Sequence, residues 1–224
     1  MAAAAISLLF GLAVAASGAA LARQLDADDP PFALGAGLAL ACVTLVGTNV
    51  AALMRFEPWA PAATWLLLLG LAARFELRPG ADRRCATGRA LVGIVAIALA
   101  VPALVLPLPL DTDAQGFGVL ALTVRDGGTL DTLAPLRAGI KYLYSPGAPV
   151  LFATVSRLSG AGLPAVMMGV SHACAMLFIW LAWELGAELG GGERQGDANR
   201  RWASATMLSA ALSVGFWTAL LDSH

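Results

Sequence analysis

The stretch from Leu110 to Pro149, LDTDAQGFGVLALTVRDGGTLDTLAPLRAGIKYLYSPGAP, is the longest interval in the chain that apolar residues do not dominate. Apolar runs flank it on both sides, and the preceding run, residues 90–109, is long enough to span a membrane. The stretch opens with Asp111 and Asp113, two carboxylates one residue apart, and ends in a Tyr-Ser-Pro-Gly turn. Because charges at the mouth of a span are costly to keep near lipid, they indicate function. We therefore interpret this stretch as the catalytic or binding loop of an integral membrane protein.

The composition agrees with a membrane protein. Hydrophobic residues make up 58% of the chain and charged residues 13%, whereas soluble domains carry about a quarter charged residues. Apolar runs near 20 residues recur, and each can cross a hydrocarbon core of roughly 30 Å. The sequence therefore predicts an all-α fold, a polytopic bundle of transmembrane helices in contact with membrane lipids. The net charge of −1 gives no support for nucleic-acid binding.

Seven apolar segments are predicted, and they cover residues 3–22, 32–54, 59–73, 90–109, 148–155, 163–185 and 203–221. We divide the chain into residues 1–89, with N-terminal spans and an Arg-rich loop, and residues 90–224, which contain the acidic outer loop 110–147. The chain ends directly after an apolar run, so we expect it to be the N-terminal part of a longer protein, truncated at residue 224.

The arginine residues give an orientation for the bundle. Five of the thirteen Arg residues fall within residues 74–89, and the positive-inside rule assigns this loop to the cytoplasm. The next span, residues 90–109, then delivers Asp111 and Asp113 to the outer side of the membrane.

Two arrangements remain for the later loops. If residues 148–159 cross the membrane, the loop at 186–201 with its three Arg residues lies outside, and Asp222 approaches the cytoplasm. If residues 148–159 re-enter, that loop lies inside and Asp222 joins Asp113 outside. The charge bias favours the second arrangement.

An amphipathic helix is predicted directly after the acidic pair. Within residues 114–125, the side chains of Phe117, Leu120 and Val124 share one face at helical spacing. Such a helix is expected to lie in the membrane interface. Glycines at 127 and 128 end it, since Gly readily adopts the left-handed cap.

The acidic pair has both a chemical and a structural interpretation. Asp111 and Asp113 can hold a divalent cation through oxygen ligands, or one of them can act as a general base toward a hydroxyl. The alternative is that Thr112 or Asp113 caps the following helix. His172 lies in the middle of a predicted span, where we expect it to make a hydrogen bond between helices.

The order of the elements in this region resembles the first outer loop of the GT-C superfamily of membrane glycosyltransferases. These elements are a span, an acidic turn, an amphipathic helix, a Gly-rich break and a Tyr-Ser-Pro-Gly string. This superfamily includes protein mannosyltransferases, aminoarabinose transferases and oligosaccharyltransferase catalytic subunits. The resemblance is carried by Asp111-Thr-Asp113-Ala114, Arg125-Asp-Gly-Gly128 and Tyr142-Leu-Tyr144-Ser-Pro-Gly147. It covers residues 90–185 and extends more loosely to 224. Superfamily members usually have one span before the acidic loop and are much longer, whereas four apolar segments precede it here.

The resemblance implies inverting transfer of a sugar from a polyprenyl-phosphate-linked donor to an acceptor on the outer face of a bacterial-type plasma membrane. It implies catalytic roles for Asp111, Asp113 and Asp222, with Asp113 as general base or metal ligand. The donor phosphate would be bound by Arg125, Arg137, Lys141 and Tyr144. A divalent cation, Mg²⁺ or Mn²⁺, would be held by Asp111, Asp113 and His224.

Other interpretations of the same residues stay open. The three cations of the loop can instead contact lipid headgroups, and Tyr144 can belong to the aromatic belt at the interface. A cation- or proton-coupled transporter would use Asp111, Asp113 and Asp222 as ion ligands. A non-enzymatic polytopic protein, whose outer loop docks a partner, is the third reading of the sequence.

Overall fold

The computed structural model describes residues 2–25, 31–74, 112–126, 130, 146–190 and 201–212. These residues form seven helices and no strand: α1 (Ala2–Leu25), α2 (Phe32–Leu53), α3 (Trp59–Arg74), α4 (Thr112–Arg125), α5 (Gly147–Ser159), α6 (Leu163–Leu189) and α7 (residues 201–212). The predicted all-α class is confirmed for this part of the chain. The predicted span at 90–109 and residues 213–221 of the one at 203–221 lie outside the described residues.

Three of these helices, α1, α2 and α6, are long and apolar enough to cross a membrane. They contain 24, 22 and 27 residues, and each is longer than a hydrocarbon core of roughly 30 Å at 1.5 Å per residue. Large apolar side chains cover the outside of α1, where Leu8 and Leu9 are 63% and 68% exposed. Such a surface is unfavourable in water and suited to lipid, so these helices support an integral membrane protein.

One apolar cluster, which we call the central cluster, contains buried residues from each of the helices α1, α2, α3, α4, α5 and α6. Its buried members include Phe10 of α1, Val43 of α2 and Val170 of α6. The Phe10 ring packs edge-on against the ring of Trp65 in α3, with 5.4 Å between centroids and 84° between planes. Helices from residues 1–89 and from residues 90–224 therefore share one core.

The closest helix contact joins α1 to α2 through small residues. A Cβ atom at Gly18 would collide with the backbone of Ala36, and one at Gly35 would lie 2.8 Å from the backbone nitrogen of Ala22. Lipid tails compete equally well for large apolar side chains, so membrane helices associate best where small residues allow backbones to approach. Gly18 and Gly35 allow that approach here.

A short break separates α5 from α6. Gly160 has a φ of 69°, the left-handed conformation that glycine adopts most readily, and its N–H donates to the Ser156 carbonyl at 2.9 Å. Pro164 then stands in the first turn of α6, where its missing N–H costs nothing. The Ser-Gly-Ala-Gly-Leu-Pro sequence thus ends one helix and begins the next within three residues.

Candidate functional site

The predicted acidic site lies at the start of α4. This helix begins at Thr112, so the backbone of Asp113 is in its first turn, while Asp111 lies outside the described residues. The predicted helix therefore exists and starts two residues earlier than the apolar pattern indicated. Among the described residues, no group of three or more His, Cys, Asp or Glu side chains could hold a metal ion.

The face of α4 that the sequence singled out packs against the protein. Leu120 and Val124 are buried, and Phe117 packs against the central cluster. At Gly118 a Cβ would lie 3.2 Å from the Met167 sulfur, which shows how closely α4 approaches the beginning of α6. The amphipathic face is thus a protein-packing face, and its position in the membrane interface stays a prediction.

Arg125 is the one predicted phosphate-binding residue whose side chain the structure describes. Its Nε donates to the Asp126 carboxylate at 3.0 Å, and the two side chains are 28% and 61% exposed. The neighbouring carboxylate therefore compensates part of the guanidinium charge. A phosphate would have to share this guanidinium with Asp126 or displace its carboxylate.

The remaining predicted site residues lie outside the described part of the chain. They are Asp111, Arg137, Lys141, Tyr144, Asp222 and His224. Their predicted roles therefore stay predictions, as does the divalent cation.

A polar contact between helices fixes one end of the bundle. The Glu184 carboxylate of α6 accepts the backbone N–H groups of Ala33 at 2.8 Å and Leu34 at 3.3 Å. These N–H groups belong to the first turn of α2, which has no other side-chain cap, and the negative charge also suits the positive end of the helix dipole. This role could not be predicted from the sequence, because Leu34 and Glu184 are 150 residues apart.

This contact defines two ends of the bundle. We call the end where α2 begins and α6 finishes the Glu184 end. The helices α1 and α3 both run antiparallel to α2 and therefore also finish there. Gly18, late in α1, lies beside Ala36, early in α2, and Pro61, early in α3, lies beside Gly47, late in α2. The segments that start at residues 75 and 191 therefore both leave from the Glu184 end.

The opposite end carries α4, and we call it the α4 end. Met167, beside Gly118, is in the first two turns of α6. Past the helix, the Leu130 N–H donates to the Ala51 carbonyl in the last turn of α2 at 3.2 Å. Both contacts lie at the ends of α2 and α6 that are remote from Glu184.

The helix α5 covers only part of the bundle's length. Gly147 lies beside Thr44, near the middle of α2, and Val150 lies beside Gly47. The helix then runs toward the α4 end and finishes at Ser159, where α6 begins its return. Its 13 residues correspond to about 20 Å at 1.5 Å per residue. This geometry matches the re-entrant alternative for residues 148–159.

A second polar contact lies inside the bundle, between α1 and α6. The Ser7 hydroxyl and Nδ1 of His172 are 2.5 Å apart. The hydrogen bond predicted for His172 between helices is therefore present, although the sequence did not identify Ser7 as its partner. Next to this pair, a cleft of about 430 Å³ runs between α1 and α6.

Comparison with known proteins adds no relationship to these observations. No family model, no curated protein and no solved structure matches the chain.

Proposed function

We propose that this chain acts as a membrane glycosyltransferase of the GT-C type, which moves a sugar from a polyprenyl-phosphate-linked donor to an acceptor at the outer face of a bacterial-type plasma membrane. The observation that carries the proposal is the separation of the helix ends. The acidic turn leads into α4 at one end of the bundle, and the Arg-rich segment leaves α3 at the other.

The charge distribution supplies the orientation. Residues 75–89 hold four Arg residues and start from the Glu184 end. The segment 191–200 starts from that end too, and its Arg194 and Arg200 are followed by Arg201. Both segments together favour a cytoplasmic Glu184 end by the positive-inside rule. The α4 end, with Asp113 in its first helical turn, is then the outer end.

The direction of α7 bears on Asp222. A Cβ at Gly186 would lie 2.7 Å from the Thr206 hydroxyl, so α7 packs beside the last turns of α6. If the apolar run at 203–221 continues this helix across the membrane, it carries Asp222 to the α4 end. That route would join Asp222 with the Asp111–Asp113 pair in one acidic site.

The chemistry assigned to these residues follows from the transfer. The acceptor hydroxyl attacks the anomeric carbon, the bond from that carbon to the donor phosphate breaks, and polyprenyl phosphate leaves. Asp113 takes the hydroxyl proton, which a positioned carboxylate can do. Arg125, Arg137 and Lys141 stabilise the negative charge that grows on the departing phosphate, and Tyr144 donates a hydrogen bond to it.

A divalent cation fits the donor set by its chemistry. Asp111 and Asp113 offer carboxylate oxygens, which Mg²⁺ and Mn²⁺ prefer, and His224 adds an imidazole nitrogen that suits Mn²⁺ better than Mg²⁺. Such a cation, when bound, would offset charge on the donor phosphate.

A transporter is the alternative proposal. Among the described helices, Glu184 is the acidic residue nearest to the interior of a span. Its carboxylate caps the first turn of α2 through two hydrogen bonds, and this structural role explains why an acid is present there. This observation removes one ion-ligand candidate and therefore favours the transferase.

The test is sugar transfer by the full chain in lipid vesicles. Radiolabelled polyprenyl-phosphate mannose and polyprenyl-phosphate aminoarabinose serve as donors, and a total membrane extract supplies acceptors. We expect transfer from at least one donor, and Asp113→Asn should lower its rate by roughly 10²–10⁴-fold, the usual contribution of a general base.

The matched control is Glu188→Gln, which also converts a carboxylate to a carboxamide, on the exposed last turn of α6 at the other end of the bundle. Its rate should equal that of the wild type. Absence of transfer from both donors, together with ion uptake that Asp113→Asn abolishes, would replace the transferase by the transporter.

A further inference from the structure

The cleft between α1 and α6 has the lining of a lipid site. Seventeen residues line it, mostly small or apolar ones, and none of them is Asp, Glu, Lys or Arg. Leu8 and Leu12 at its margin are 63% and 58% exposed, so the cleft opens on the surface that faces lipid. Its volume of about 430 Å³ lies within the range of roughly 300–1,000 Å³ for small-molecule sites.

The cleft is long and has one polar end. It extends from Ala4 to Ala15 on α1 and from His172 to Trp180 on α6, and Ala36 and Leu40 of α2 complete its lining. The two helices run parallel there, and at 1.5 Å per residue the lining is about 17 Å long on α1 and about 12 Å long on α6. The hydrogen-bonded Ser7–His172 pair lies toward the end nearer α4, with only Ala4 of the lining beyond it on α1. An occupant therefore meets one uncharged polar group and then an apolar channel.

The cleft lies between two close contacts of α6, one with α1 and one with α2. On the α4 side, a Cβ at Gly169 would lie 2.6 Å from the Ala3 carbonyl oxygen, so α1 and α6 touch. On the other side, Glu184 binds the first turn of α2. Between these contacts a Cβ at Gly11 would meet nothing nearer than the Ala173 Cβ at 3.9 Å. The cleft is therefore bounded by fixed contacts at both ends.

The hydrogen-bonding capacity of Ser7 defines the polar group of the occupant. Among the described residues, the Ser7 hydroxyl makes one hydrogen bond, to Nδ1 of His172. If Ser7 donates that bond, its oxygen can still accept another; if His172 donates it, the Ser7 proton is available to a ligand. A hydroxyl group satisfies Ser7 in both cases, because it donates and accepts. A carbonyl satisfies it in only one case, and a charged headgroup finds no countercharge in the lining.

We propose that this cleft binds an uncharged lipid with a free hydroxyl, such as a diacylglycerol, whose hydroxyl meets Ser7 and whose chain runs along Gly11 toward Trp180. The site is separate from the proposed transfer site, since it contains no cation to bind a phosphate. It does not depend on the transferase proposal.

The test uses photo-crosslinking of the full chain in phosphatidylcholine nanodiscs. Three probes carry a diazirine at the same position of one acyl chain: a diacylglycerol, the same lipid with its hydroxyl methylated, and the matching phosphatidic acid. Peptide mass spectrometry then maps the labelled residues. We expect diacylglycerol to label α1 and α6 along the cleft at least about threefold more than either other probe, the ratio expected from one intramembrane hydrogen bond.

Three variants sharpen the result. Gly11→Leu places a branched side chain in the cleft and should abolish cleft labelling while the lipid-facing surface remains labelled. Gly70→Leu is the matched control, because a Cβ there meets no atom within 4 Å, and it should behave as wild type. Ser7→Ala should make diacylglycerol and its methyl ether label equally. Size-exclusion profile and helix content confirm the fold of each variant.

Two results would overturn the proposal. Equal labelling of the wild type by all three probes would mean that bulk lipid chains enter the cleft without selection. Cleft labelling that Gly11→Leu leaves unchanged, or no cleft labelling in the wild type, would mean that no lipid occupies this space.

Discussion

The helix α1 meets its two main neighbours in opposite ways. Toward α2 it is closed: Gly18 and Gly35 bring the two backbones into contact. Toward α6 it touches near Gly169 and then leaves the cleft that contains Ser7 and His172. Both interfaces consist of small and apolar residues, so hydrophobicity does not distinguish them. The two interfaces differ in the size of the side chains at each contact.

This difference separates scaffold from site in the described helices. Where no group larger than a hydrogen lies between two backbones, the contact gives stability and leaves no space for a ligand. Where a polar pair stands beside an unfilled space, the contact gives little stability and offers recognition. The same substitution should therefore have different effects on the two faces of α1.

The largest effect is expected from Gly18→Leu. Its side chain would collide with the backbone of Ala36, which cannot move away as a flexible side chain could. Overpacking of this kind costs about 3 kcal/mol of unfolding free energy, measured by SDS-induced unfolding in mixed micelles. Gly70→Leu in α3 is the matched control and should leave the unfolding free energy within about 0.5 kcal/mol of wild type. Equal stability of the two variants would show that α1 and α2 are not in backbone contact.

The next effect concerns the contact that holds α6 beyond the cleft. Glu184→Ala removes the acceptor for the N–H groups of Ala33 and Leu34 and should cost about 1–2 kcal/mol of unfolding free energy. Glu184→Gln should lose less, since its amide oxygen still accepts one bond. The control is Glu188→Ala, because Glu188 lies one turn later on α6 and is exposed. If Glu184→Ala unfolds like that control, α6 is not held by this cap.

Gly11→Ala should have the opposite sign from Gly18→Leu on the same helix. The new methyl group would make an ordinary contact with Ala173 at 3.9 Å, and alanine is preferred to glycine inside helices by about 0.5–1 kcal/mol. We therefore expect a gain in unfolding free energy up to that size. A loss larger than about 1 kcal/mol would mean that the cleft is closed at Gly11.

The smallest effect is expected from the polar pair. Ser7→Ala removes the hydrogen bond to His172, and hydrogen bonds between membrane helices contribute about 0.6 kcal/mol on average. In a His172→Phe background the same change should have no further effect, because the partner is already absent. Additive losses in the double-mutant cycle would show that Ser7 and His172 do not interact.

The positions of the helices could be predicted from the sequence, because lipid imposes length and hydropathy on each span. The predicted runs at 32–54 and 163–185 correspond to α2 and α6. The spacing of Leu120 and Val124 grouped them correctly on one face of α4, but the sequence assigned that face to the membrane interface, whereas both side chains are buried in the protein. The pairings between helices could not be predicted. Ser7 and His172 are 165 residues apart, and nothing in either local pattern names the other.

The proposed acidic site depends on residues that the sequence indicates, on the helix ends that the contacts bring together, and on the orientation that the positive-inside rule predicts. Charge bias alone left two arrangements for residues 148–159. The position of α5 beside the middle of α2, and of Glu184 beside Ala33, matches the arrangement in which these residues re-enter. Sequence patterns could not decide this point, since a 13-residue apolar helix fits a short tilted span as well as a half-span.

The most direct test of the central claim measures which residues face the outside of the cell. Single cysteines replace Asp113, Asp222 and Arg194 in a chain whose native cysteines are changed to serine, and intact cells are treated with a membrane-impermeant maleimide. We predict labelling at positions 113 and 222, and labelling at 194 only after the membrane is opened. Labelling at position 222 only in opened membranes would contradict the single outer acidic site, and Asp222 would then have no part in the transfer.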